Sequence, residues 1–482
     1  NAEFSKEIEN ETKKVANLVL EYTDKKQRLD LRKEEIVTID GAYSKDLDDA
    51  VSLKKNEKGN YVLGVHIADV SEFVREGMAL DAEALSRGNS IYLIDYVVPM
   101  LPVLLSNKLC SLNEGEERLT LSCIMEIDKS GKVLEYKISE SVIKSSARLV
   151  YDEVSDFLEK GKETANVSAH AEMLKEMEEL ASCLRKAREE LGSIDFDIDE
   201  AEFEIDKDGV PVDIFLSERR TANRLIEEFM LIANRTVAEH YFWMEYPFIY
   251  RVHEKPLPEK VMELKAFLKG IGLSLPLNEG NIHPLALRNL LDEDGKLSLV
   301  SAVMVRSMQK AFYSPECLGH YGLAFKQYCH FTSPIRRYAD LWIHRMIKHQ
   351  MHEEFSDEQL SKYREKAKKV SDIVSETERK AISMERELER LKKAQYMERW
   401  VGYEEHGIIS GITSFGIFVQ LPNTVEGLVR LDTLIDDYYE FDQENYRLVG
   451  SNHGRELRLG DSVNVVCTRV DTLIGTIDFR LC

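Results

Sequence analysis

Four carboxylates crowd into one short stretch, at Asp40, Asp46, Asp48 and Asp49 of TIDGAYSKDLDDAVSL, and apolar residues flank it on both sides. The flanks, Ile36, Val37 and Ile39 before it and Ala50, Val51 and Leu53 after it, read as strand ends. Gly41 and Ser44 mark a turn between them. The fold must therefore hold four like charges on a loop pinned at both ends, and such charges repel unless something positive lies between them. One or two hard divalent cations would supply that charge. Magnesium takes carboxylate oxygens while keeping waters and substrate phosphates. Two such ions about 4 Å apart can activate a water and stabilise a leaving oxygen in phosphodiester cleavage. A calcium loop and a solvated acidic turn are the competing readings. The glycine and glutamate placements of an EF-hand loop are missing, which weakens the first, and the aspartates alone do not decide among the three.

A second segment strengthens the phosphate reading. HFTSPIRRYADLWIHRM, residues 330–346, gathers Thr332, Ser333, Arg336, Arg337, His344 and Arg345. The pattern predicts a helix with Pro334 in its first turn and Ser333 or Thr332 as its cap. Helix N-terminus, hydroxyls and Arg336 together would form an anion site suited to phosphate oxygens. An ordinary capped helix with surface arginines is the plainer alternative.

These two segments resemble the signature motifs of the RNB family of exoribonucleases, the group of RNase II and RNase R. Similar wording continues in GVHIADVSEFV (64–74), VPMLPVLLSNKLCSLNEGEERLTLSCIM (98–125), RRTANRLIEEFMLIANRTVA (219–238) and HYGLAFKQYCHFTSPIRRYADL (320–341). The likeness covers residues 30 to 400, and SIYLIDYVVPMLP leans toward the RNase R branch. After Val401 the chain changes character. Short β-rich runs alternate with Gly and Pro turns, which predicts a small barrel, and SFGIFV…EGLV resembles the S1 RNA-binding domain, an OB-fold. The implied architecture is α+β: a helical lead-in over 1–30, a catalytic domain with a β-barrel core and surrounding helices over 31–400, and an all-β barrel over 401–482.

The resemblance also lends roles to particular residues. Asp40, Asp46, Asp48 and Asp49 fall on the family's metal-site aspartates, with Asp48 on its most critical acid. Arg336, beside Ser333, falls on the arginine that grips the scissile phosphate. Tyr151 matches a tyrosine at the 3′-terminal nucleotides, and Tyr92 and Phe196 match aromatics that clamp the base stack. Glu227 and Glu385 match acids near the terminal ribose and the active site. Phe415 and Phe418 fall on the binding face of the S1-like barrel, where rings stack on bases without sequence preference. For Tyr92, Phe196 and Phe418 core packing is the competing fate. The implied activity is hydrolytic, processive, 3′-to-5′ removal of nucleoside 5′-monophosphates from single-stranded and structured RNA, with one or two magnesium ions (manganese as the alternative). The RNA would enter an enclosed channel 3′ end first, in a monomeric protein. A catalytically silent RNA-binding relative and an endonuclease or DNA nuclease are the alternatives.

Composition sets the outer bounds. No window approaches an apolar span of membrane length, and the opening NAEFSKEIENETKK is too polar for a signal peptide. Seven cysteines (110, 123, 183, 317, 329, 467, 482) lack ligand-like spacing, as expected of reduced thiols in a cytoplasmic protein without zinc. The net charge of −22 is unusual for a nucleic-acid binder. It predicts an enclosed basic path within an acidic body, with many of the acids on solvated helices at 153–192 and 353–399. The 353–400 stretch reads as a packed helix pair with an apolar stripe of Ile373, Val374, Ile382, Met384 and Leu388. The sequence opens without methionine and shows neither cold-shock OB domains nor a lysine-rich tail. Against the family it reads as a truncated form, expected to keep cleavage and to admit duplex RNA more easily.

Overall fold

The computed structural model describes residues 3–22, 27–194, 200–270, 273–276, 282–291, 297–353, 355–442 and 447–482. Its first unit is built on a seven-stranded mixed sheet in the order Leu29–Asp30, Val133–Lys144, Glu117–Ile127, Tyr61–Ala68, Asp49–Lys55, Val37–Asp40, Ala147–Val150. The inner pairings are antiparallel and the two outermost are parallel. Tyr61–Ala68 lies at the centre and reads as a nearly continuous apolar run because both of its faces are covered. Cover comes from Thr221–Trp243 and Tyr338–His352, whose Phe229, Tyr241, Tyr338 and Trp342 are buried in the same cluster as Ile36, Leu63, Val65 and Ile67.

The α+β class and the terminal barrel are as expected. The core strands of the first unit run as one seven-stranded ladder beneath the covering helices. Leu29–Asp30 is two residues long and pairs in parallel with Val133–Lys144.

The predicted helix pair is also corrected. Asp357–Met397 is one helix of 41 residues. Nothing between its ends carries a glycine or proline to break it. A capping box starts it: Gln359 N–H donates to Ser356 Oγ (3.4 Å), and Ser356 N–H donates to Gln359 Oε1 (2.9 Å). Of the expected stripe only Val374 is buried; Ile373, Ile382 and Met384 are exposed, and Ile382 instead faces a cleft.

The C-terminal unit is a closed barrel of Glu404–Thr413, Gly416–Gln420, Glu426–Arg430, Thr476–Leu481 and Ser462–Asp471. Ile409, Ile417, Val419, Val429, Val465 and Phe479 fill it. Gly416 turns the first hairpin at φ +153°, where an added β-carbon would sit 2.2 Å from the Val429 carbonyl oxygen.

An ionic lattice pins the first unit together. Asp69, Glu72 and Glu140 bring carboxylate oxygens within 4.8 Å of one another. Arg28 reaches all three (2.8, 3.0 and 3.0 Å), as does Lys348 (3.0, 2.6 and 3.2 Å). Their charge is thus met by protein cations. No helix among the described residues is long and apolar enough to cross a membrane, and all seven cysteines are free thiols.

Candidate active site

The aspartate loop joins two strands of the sheet. Asp40 ends Val37–Asp40, and its Oδ1 accepts from Gly41 N–H and Ser44 Oγ, both at 2.7 Å. Buried Leu47 is tied by its N–H to Ser111 Oγ (3.1 Å) and by its carbonyl to Leu112 N–H (3.0 Å). The backbone on either side of Leu47 is therefore fixed, and Asp48 and Asp49 turn inward. Asp49 opens the strand Asp49–Lys55. Tyr151 follows Val150, the residue that pairs with Asp40, which puts its phenol beside Asp40 and Asp49. Burial and those two charges push the phenol well above its ordinary range.

The other half of the site comes from residues 332–337. The expected helix start is corrected here: Pro334, Ile335 and Arg336 form a turn and the helix begins at Tyr338. Arg337 is drawn into extended backbone by a bridge to Asn89 and by its guanidinium, which grips Asp340 through Nε (2.9 Å) and Nη2 (2.8 Å). Asp340 is fully buried and also accepts Ser333 N–H at 2.8 Å. Ile335 N–H does not face an anion from solvent, since it donates to Asp48 Oδ1 at 2.8 Å. Arg336 donates to Ser333 Oγ (3.0 Å) and holds its Nε 3.7 Å from Asp48 Oδ2, with its guanidinium open to solvent on one side.

Asp48 decides the electrostatics. It is 4% exposed, and its Oδ2 has no hydrogen-bond partner among the described residues. Burial drives its carboxyl well above the ordinary range, against the pull of Arg336 and the Ile335 N–H, and Asp46 and Asp49 push the same way. Asp49 is raised to about 7, first by burial and then by Asp40. A buried carboxylate oxygen without a partner, among like charges, is what a site for a divalent cation presents when only protein groups are counted. The donor set fits such an ion.

Tyr92 joins the loop to the long helix. Its hydroxyl donates to Asp46 Oδ2 (2.6 Å) and its N–H donates to Glu385 Oε1 (3.1 Å). Burial raises the Glu385 carboxyl. Tyr92, Glu385 and Arg336 line a cleft of about 430 Å³ with Phe203, Arg337 and Ile382.

The structure thus brings Asp40, Asp46, Asp48, Asp49, Tyr92, Tyr151, Ser333, Arg336 and Glu385 to one region. Glu227 pairs with Arg219 at 2.5 Å and makes no hydrogen bond or ion pair to the aspartates among the described residues. Phe196 lies outside the described residues. In the barrel Phe415 is 56% exposed and meets Phe418 edge-on at 6.2 Å. Phe418 lines a groove of about 580 Å³ with Arg386, Arg390, Lys393, Arg430 and Arg469. Sequence reasoning passed over Asp340 and Phe203. A carboxylate seven residues after Ser333 was the available signal for the first; nothing local marked the second.

Residues 28–353 match the model of the RNB domain, and 401–481 match that of the S1 RNA binding domain. The chain belongs to the RNB family. It is 45% identical to Ribonuclease R of Thermotoga maritima over 94% of this chain and 65% of that protein. It is 42% identical to Ribonuclease R 1 of Lactococcus lactis subsp. lactis over 99% of this chain and 59% of that protein. The chain therefore spans about two thirds or less of the length of these RNB relatives. The structure of Mycoplasma genitalium RNase R in complex with ribose methylated single-stranded RNA superposes with a TM-score of 0.93 at 31% identity, covering all of this chain and 76% of that one.

Proposed function

We propose that this chain is a hydrolytic, processive 3′-to-5′ exoribonuclease that releases nucleoside 5′-monophosphates from single-stranded and structured RNA. The observation that carries this reading is Asp48. One of its oxygens is bonded to the backbone of the Arg336 turn, and the other is buried and unpartnered beside the Arg336 guanidinium. This supports reading Asp48 as a metal ligand and Arg336 as the cation that meets the phosphate. Residues 31–400 form the catalytic unit in this reading, 401–482 the RNA-binding barrel and 1–30 a lead-in, in a monomer active in the cytoplasm.

Asp40, Asp46, Asp48 and Asp49 would hold one or two magnesium ions, with manganese as the substitute. Bound there, the ions supply polarisation of the attacking water and neutralise the departing oxygen. Arg336 meets the charge that gathers on the phosphoryl oxygens. Tyr151, with its proton held firmly by burial, donates a hydrogen bond toward the terminal nucleotide. Tyr92 offers a ring face at the cleft wall while its hydroxyl orients Asp46. Glu385 fixes the Tyr92 backbone and takes part in binding the strand. Glu227 is proposed to approach the terminal ribose only once released from Arg219. Phe196, Phe415 and Phe418 stack on bases along the path, and Ser333 adds a hydroxyl at the phosphate.

The test is a time course on 5′-labelled single-stranded RNA with magnesium, with EDTA, and with Asp48→Asn. A ladder shrinking from the 3′ end, abolished by EDTA and by the substitution, is expected. Binding without shortening would place the chain among silent RNA-binding proteins, and scattered internal fragments would make it an endonuclease.

A further inference from the structure

A second cavity, of about 600 Å³, opens where the helices Ala171–Glu190 and Thr221–Trp243 meet. Its wall carries Arg185, Arg219, Arg220 and Arg224, with Ser182 and Thr221 among them. These cations are not equally engaged. Arg220 is saturated by Asp156 (2.7 Å) and Glu159 (2.8 Å). Arg219 is held by Glu227. Arg185 comes no closer than 3.9 Å to Glu228, whose oxygens are already taken by Arg188 at 2.6 and 3.3 Å. Arg224 has no ion pair among the described residues, and its Nε is buried without a hydrogen-bond partner. Glu178 and Glu218 also line the wall, yet neither reaches an arginine within ion-pair distance among the described residues. The first N–H groups of Thr221–Trp243 are spoken for, Thr221 by Glu159 (3.1 Å) and Ala222 by Ser155 (3.1 Å), so the guanidinium groups carry the field.

Two under-used arginines in a concave, polar pocket of ligand size call for an anion. A partly desolvated guanidinium fits phosphate oxygens through its fork of donors. We propose that this pocket binds the phosphate monoester of a nucleoside 5′-monophosphate, a product-binding site separate from the aspartate loop. The choice of ligand rests on the exoribonuclease reading, because such an enzyme makes this dianion at every turnover; the anion site rests on Arg185 and Arg224. Glu227 holds Arg219 of this pocket and sits one turn beyond Arg224 on the same helix. An occupant drawing on Arg219 would loosen that pair.

The experiment is a calorimetric titration of the full chain with adenosine 5′-monophosphate in EDTA. It is repeated with the chain pre-saturated with single-stranded RNA, and with adenosine and inorganic phosphate as ligands. Expected is binding of the monophosphate that survives RNA pre-saturation and Asp48→Asn and is weakened about tenfold by Arg224→Ala or Arg185→Ala. Adenosine should not bind, and inorganic phosphate should compete. Partly exposed Arg185 keeps the test open if Arg224→Ala fails to fold. Loss of binding on RNA pre-saturation would assign the arginines to an RNA backbone and overturn the proposal, as would equal affinity in both arginine variants or no binding at all. RNA shortening is scored separately. A chain that shortens RNA but binds no monophosphate sinks this inference alone; one that binds it at the arginines without shortening RNA sinks the activity and leaves the anion site.

Discussion

The two oxygens of Asp48 meet different surroundings, and in the proposed reading one serves structure and the other chemistry. Asn at this position keeps an oxygen for Ile335 N–H and removes a buried charge that only the Arg336 guanidinium, at 3.7 Å and without a hydrogen bond, offsets. Asp48→Asn is therefore expected to abolish cleavage while leaving the metal-free melting temperature no lower. Magnesium should stabilise the parent by about 2.7 kcal/mol at a hundredfold excess over Kd, seen as a higher melting temperature, and leave the variant unmoved; thermal melts with and without the ion check both. His66 gives a residue-scale test of stability. It is buried between Ser52 and Ser122 hydroxyls, and burial lowers it to about 3. An unfolded histidine takes up its proton near pH 6.5, while the folded one refuses it until about pH 3. Between those limits the unfolded state binds more protons, so this contribution is intact above pH 6.5 and is lost as pH falls, by at most about 1.4 kcal/mol per unit. Urea midpoints from pH 7.5 to 5 should show the decline, and His66→Asn should flatten its share. The clustered aspartates were legible because they are adjacent in sequence. The Tyr92–Asp46 bond and the grip of Ile335 on Asp48 were not, since periodicity carries no information about partners so far apart in the chain.

Among elements, the helix Asp357–Met397 does most to shape the cleft, and its approach depends on Gly88. That glycine has φ +70°, and an added β-carbon would lie 1.9 Å from Thr377 Oγ1. Its carbonyl also accepts Tyr338 N–H (2.9 Å), which starts the helix behind Arg336. Gly88→Ala should cost about 2 kcal/mol or more, since both the backbone region and the space are denied. It should also lower cleavage by moving the helix away from Tyr92; denaturant unfolding and the RNA time course report the two effects. The helix was readable from its charged, glycine-free sequence, but its continuity was not. Its irregular apolar spacing suggested two packed helices because the cleft-facing side, including Ile382, is neither solvent nor core. The false helix start at Pro334 has a similar origin: Ser and Pro are helix-start signals locally, and Asp340, Arg337 and Asn89 overrule them from outside that local window.

At the scale of the whole molecule, the barrel groove and the cleft share Glu389 as a wall residue, so the two cavities adjoin along the long helix. In a chain with net charge −22, Arg386, Arg390, Lys393, Arg430 and Arg469 collect in this groove beside Glu389, Glu426 and Asp478; Arg390, Lys393 and Arg430 are ion-paired, and Arg386 and Arg469 have no ion pair among the described residues. Replacing Arg386 and Arg469 together with alanine should lower the slope of log affinity against log salt by about 1.4 for single-stranded RNA, two phosphate contacts' worth. Fluorescence titrations at several salt concentrations measure it. The barrel was legible from its turn spacing; the groove was not, because half of it belongs to another element.

The bond from Ile335 to Asp48 joins residues 287 positions apart. Neither partner can adopt its working geometry until the other has been synthesised and folded against it. A ribosome making this chain is still reading its own message when the aspartate loop emerges, and in the proposed reading a nuclease complete at that moment would threaten its own template. In this architecture the site closes only once residue 335 has joined it, and a fragment ending short of that residue is expected to leave RNA intact.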